Sequence, residues 1–147
     1  NYLSEIIRSF EEKYPDINIH IHDLDQSAIF NALSSGMVEL ALTFDLSIPK
    51  SMETKKVVSR APHAVLPLND PLTLKDEVQL KDLIKRPFIL MDLPHTNDYF
   101  LSLFTKKKLS PNIRYRTNLF ETVRTFVASG LGVSVLNLEP QFSTTYN

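Results

Sequence analysis

Three short runs of nearly unbroken apolar residues, at 40–44 (LALTF), 88–91 (FILM) and 133–136 (VSVL), constrain this chain more than any other feature. A strand that is apolar at successive positions is covered on both faces, as in a parallel sheet. Parallel neighbours cannot be joined by a tight hairpin and need crossover connections, usually helices. Helical patterns precede the first run and separate the last two. Leu3, Ile6, Ile7 and Phe10 recur at helical spacing until Pro15 stops them. Ile29, Ala32 and Leu33 mark a second helix, opened by Asp25 or Ser27 and ended by Gly36. Tyr99, Phe100, Leu103 and Phe104 give a third, and Val123, Phe126 and Val127 a fourth that ends at Gly130. The fold class this order predicts is α/β.

Further strands follow from period and β-branching. Ile17, Ile19 and Ile21 alternate with Asn18, His20 and His22, which predicts a strand. Residues 53–59 and 63–66 are two more candidates, and Pro62 and Pro67 place the second at an edge or crossover. Residues 113–117 form another. Asn118 followed by Glu121 resembles a capping box for the last helix. The halves share a strand–loop–helix–strand rhythm. The division expected is a first lobe at 1–60, a second lobe with the crossover at 61–139, and the start of a return to the first lobe at 140–147. The opening helix has no lead-in, so a preceding segment is expected.

Composition closes off several functions. The 147 residues carry a formal net charge of -1, which excludes a strongly basic nucleic-acid binder. No apolar run approaches the roughly 20 residues a membrane-spanning helix needs. There is no charged-then-apolar leader with a small-residue cleavage site. Cysteine is absent, which removes disulfides, thiolate nucleophiles and Cys-based metal sites, and suits a reducing, cytoplasmic setting. The three glycines, Gly36, Gly130 and Gly132, fall at helix ends or the turn after, so no glycine-rich phosphate loop exists.

Ligands of open parallel α/β sheets sit beyond the carboxyl ends of the strands. That rule selects Asp25, Gln26 and Ser27, then Thr43 and Phe44, then Pro94, His95 and Thr96, and finally Asn118, Leu119 and Phe120. All but Thr43 and Phe44 lead into helix N-termini, whose unpaired N–H groups bind anions without Arg or Lys. The plainer reading of such Ser, Thr and Asn residues is capping, and of Phe44 and Phe120 core packing. His20 and His22 share one strand face, but no third ligand is spaced to complete a metal site, and no cofactor is implied. His95 lies in a candidate loop yet has no Ser or Cys nucleophile at recognisable spacing, so the reading is of no enzyme. The run Lys106, Lys107 and Lys108 complements a helix C-terminus.

The order of motifs resembles the effector-binding domain of the LysR-type transcriptional regulators. FEEKYPDINIHI resembles that family's "F…YP.v.v.l", and NALSSGMVELAL its "L..G.lDlal". LPLNDPL resembles "lP..HPLA", LKDLIKRPFIL "l.dL…pfil", and VRTFVASGLGVSVLN "v.alVaaGlGvsllP". Glu39, Asp70 and Asn137 stand where the family usually has Asp, His and Pro. The resemblance implies two Rossmann-like lobes of type II periplasmic-binding-protein topology, with a small effector, often a carboxylate, between them. It maps effector contacts onto Gln26, Thr43, Phe44, Pro94, His95, Thr96 and Phe120. It also implies homodimers or homotetramers, with the first helix a candidate contact, and DNA binding only through an N-terminal winged helix-turn-helix outside this sequence. A solute-binding protein of a transporter shares that architecture and is the alternative.

Overall fold

A computed structural model describes residues 2–137. It divides into two compact units between Ile48 and Pro49. The expected return segment at 140–147 lies outside the described residues.

In the first unit, helix α1 (Tyr2–Lys13) stops where Pro15 requires, and the Phe10 and Tyr14 rings meet at 5.0 Å. None of its residues is buried. Helix α2 (Gln26–Ser34) is capped by Asp25, whose side chain accepts from the Ala28 N–H at 2.9 Å. Of the two caps considered, Asp25 is the one used. The helix unwinds through Gly36 at φ +72°, and the N–H of Met37 returns to the Ala32 carbonyl at 2.9 Å. That left-handed turn is one an L side chain rarely adopts.

The strands expected at 17–21, 40–44 and 53–59 do not form among the described residues. Alternation and β-branching favour an extended backbone, but a strand also needs a neighbour to take its N–H and C=O groups. No described segment supplies that ladder. The apolar side chains stay accordingly open, with Leu40 86% exposed and Ile21 60%.

The second unit carries the core. Strands β1 (His63–Val65), β2 (Pro87–Met91), β3 (Asn112–Thr117) and β4 (Ser134–Leu136) are joined by three helices. These are α3 (Leu80–Leu83), α4 (Thr96–Thr105) and α5 (Phe120–Ala128). β2 and β3 run parallel, β1 and β4 antiparallel. A parallel bridge between Phe88 and Val133 sets β4 beside β2, so the strands lie in the order β3, β2, β4, β1. Phe88, Ile89, Leu90 and Met91 are all buried, as an apolar run covered on both faces must be. β3 alternates exposed and half-buried residues.

Phe88 meets Phe104 of α4 edge-on at 5.3 Å, and Tyr115 meets Phe126 of α5 at 5.5 Å. Buried Ser134 donates from Oγ to the Ile89 carbonyl at 2.7 Å, which satisfies the one polar side chain inside β4. Gly132 has a tertiary cause that spacing did not reveal. A Cβ there would lie 2.4 Å from the Pro87 carbonyl oxygen. Asp70, 5% exposed, caps a 3₁₀ turn (Pro71–Leu74) by accepting from the Leu72 N–H and pairs with Arg86.

Candidate functional site

The register of β2 and β3 places Met91 opposite Thr117. The Asp92 N–H extends the ladder by donating to the Thr117 carbonyl at 2.8 Å. The segments that follow therefore leave one edge of the sheet. One carries Pro94, His95 and Thr96 into α4, and the other carries Asn118, Leu119 and Phe120 into α5. The sequence-selected residues of the second unit thus share a sheet edge.

The two helix starts differ chemically. At α4 the Leu93 carbonyl accepts from the N–H groups of Thr96 (3.1 Å) and Asn97 (3.0 Å), and Asp98 N–H donates to Asn97 Oδ1 at 2.7 Å. Its first turn is closed to an anion, contrary to the general expectation for these segments. His95 precedes it at φ +64°, ψ −31°, and makes no side-chain cap. Holding a non-glycine residue there costs on the order of 1–3 kcal/mol.

At α5 the expected capping box is absent. The helix begins one residue later, so Leu119 is the N-cap and has no oxygen to offer. Glu121 instead faces Arg124 at 3.5 Å. The N–H groups of Phe120, Glu121 and Thr122 have no acceptor among the described residues. Such groups, with the helix dipole behind them, favour negative charge. Phe120 is partly buried and packs on the core, while Asn118 is exposed.

In the first unit, Gln26 and Phe44 come together. Gln26 Nε2 donates to the Phe44 carbonyl at 3.1 Å and also to the Leu46 carbonyl. Thr43, Phe44 and Ser27 are exposed. The Asp25 carboxylate already occupies the start of α2, which disfavours an anion there.

Sequence reasoning missed polar groups at the strand ends. Asp92, directly after β2, accepts from Asn97 Nδ2 at 2.9 Å and lies 3.4 Å from Arg116 Nη1. Asn137, directly after β4, donates from Nδ2 to the Arg60 carbonyl and to Tyr99 Oη, each at 3.1 Å. The rule that selected Thr43 points equally to Asp92 and Asn137. Among the described residues no three His, Cys, Asp or Glu side chains converge as a metal site. No helix among them is long and apolar enough to cross a membrane.

Parallel strands ending in helix starts, with helices packed on the sheet, define an α/β module of the type II periplasmic-binding kind, and solved structures of that kind superpose on this chain. The family is specific: this chain belongs to the LysR substrate binding domain family, whose model matches residues 1–139.

The relatives agree. The HTH-type transcriptional regulator CysB of Haemophilus influenzae is 30% identical over 143 residues, covering 91% of this chain and 42% of CysB. The crystal structure of HinK, a LysR family transcriptional regulator from Pseudomonas aeruginosa, aligns with a TM-score of 0.89 at 34% identity, over 98% of this chain and 50% of HinK. The BenM effector-binding domain, solved with its effector benzoate, shares the fold at a TM-score of 0.77 and 20% identity, over 93% of this chain and 64% of that one. The chain spans less than half the length of CysB.

Proposed function

We propose that this chain is the effector-sensing part of a LysR-type transcriptional regulator that works in the cytoplasm and is not an enzyme. Its lobes are residues 1–60 and 61–139, and a small molecule binds between them. Ser27, Thr43, Phe44, Pro94, His95, Thr96, Asn118 and Phe120 face that molecule. The observation that carries this reading is the uncapped start of α5 at the sheet edge it shares with the 94–96 loop. Three unpaired N–H groups suit the carboxylate of a modest organic acid. The regulators among its relatives support this reading over a transport role.

The effector acts by favouring one arrangement of the lobes, and so one geometry of a homodimer or homotetramer. A coupling of about 1–3 kcal/mol is enough. DNA is contacted through an N-terminal winged helix-turn-helix outside this sequence, consistent with the net charge of -1 here.

The test is a melting-temperature screen of the full-length protein against a library of small carboxylates. A compound at about 100 times its Kd adds about 2.7 kcal/mol, a clear shift. Neutral analogues of the same shape should lose most of it. A library in which only cationic or strictly apolar compounds stabilise the protein overturns the proposal.

A further inference from the structure

We infer that Gln26 is a positioning residue, whose side-chain amide sets the course of the 43–46 segment. Residues 39–48 make no backbone–backbone hydrogen bond with any described residue. Among the described residues, the hydrogen bonds that reach this stretch come from Gln26 Nε2, one to the Phe44 carbonyl and one to the Leu46 carbonyl. Gln26 lies 18 and 20 positions away in sequence and is 8% exposed, while Ser27 beside it is open. Within the described part of the first unit only Gln26 and Ala32 are buried.

The chemistry fits an amide in particular. An NH₂ group carries two protons and can serve two carbonyls, whereas a carboxylate of the same shape carries none at neutral pH. Thr43 and Phe44 thereby inherit their orientation from the first residue of α2. Gln26 keeps its amide protons for the protein rather than for an effector. The consequence for sensing rests on the reading that Thr43 and Phe44 face the effector.

The experiment is limited chymotryptic digestion of the full-length protein with no effector added. Phe44 is 42% exposed, and its carbonyl, the one a protease must attack, is held by Gln26. Gln26→Glu and Gln26→Ala should speed cleavage after Phe44 at least tenfold, while cleavage after Phe100 and Phe120 stays as in the parent. Ser9→Ala, at an exposed position of α1, should leave all three cleavages unchanged. Unchanged cleavage after Phe44 in both Gln26 variants overturns the inference, as does an equal rise at all three sites, which signals general loosening. Digestion needs no ligand, so a failed carboxylate screen would sink the proposed function while leaving this result readable. With carboxylates that pass the screen, Gln26→Ala and Thr43→Ala should weaken binding non-additively. Fully additive losses contradict positioning through Thr43.

Discussion

Replacing Asp70 removes two attachments at once. Its side chain is 2% exposed, accepts from the Leu72 N–H at 2.9 Å, and is paired with Arg86, itself 33% exposed. Loss of a capping oxygen costs about 1 kcal/mol. Breaking a fully buried ion pair costs about 3–5 kcal/mol, but water can reach the third of Arg86 that is open, so about 2 kcal/mol is the better figure here. Asp70→Ala should therefore lose about 3 kcal/mol. Asp70→Asn, which keeps an oxygen for Leu72, should lose about 2 kcal/mol. At about 4 °C per kcal/mol for a chain of this size, the melting temperature falls by about 12 and 8 °C respectively.

The pH dependence gives an independent check. The hydrogen bond from Arg86 holds the Asp70 carboxyl below its ordinary range against the opposing effect of burial, with the Leu72 N–H assisting. A carboxyl with a lowered folded-state pKa takes up its proton later than it does in the unfolded chain. Its stabilisation is complete above the unfolded value of about 3.9 and is lost as pH falls through the folded value. The gap between parent and Asp70→Asn, read by urea denaturation, should be constant from neutrality down to about pH 5 and narrow below about pH 4. Equal stability at pH 7, or a gap that widens in acid, would refute the reasoning.

Two further substitutions probe packing and the helix start. Gly132→Ala drives a Cβ against the Pro87 backbone and should destabilise by about 3 kcal/mol, whereas Gly130→Ala, with open space but φ +74°, should cost only about 1 kcal/mol, both read by urea denaturation. Leu119→Asp supplies the missing cap of α5 and should stabilise by about 1 kcal/mol. The same carboxylate occupies the open N–H groups, so binding of small carboxylates in the melting-temperature screen should drop at least tenfold. Undiminished binding in that variant would show that anions do not use this helix start.

Much of the second unit was legible because its signals are local. The apolar run at 88–91 marks a strand covered on both faces, and it is one. Tyr99, Phe100, Leu103 and Phe104 mark a helix, with Phe100 and Phe104 fully inside. In the first unit, Asp25 bounds α2 through its carboxylate and Gly36 through its lack of a Cβ, which permits a positive φ. The same local signals misled where the outcome depends on a neighbour. Ile17, Ile19 and Ile21 alternate as a strand should, yet no described segment pairs with them. Asn118 and Glu121 have the spacing of a capping box, but α5 starts at Phe120.

The family itself was readable from five ordered motifs, and so were the segments that follow β2 and β3. Sequence by itself determined backbone preference, because φ and ψ, side-chain branching and apolar period act within a few residues. Tertiary structure alone decided partners. It gave the Gln26 amide to Phe44 and Leu46, the Asp70 carboxylate to Arg86, and the space beside Gly132 to the Pro87 carbonyl. Each of those pairings joins groups far apart along the chain, and no short window of sequence records which distant atom will arrive.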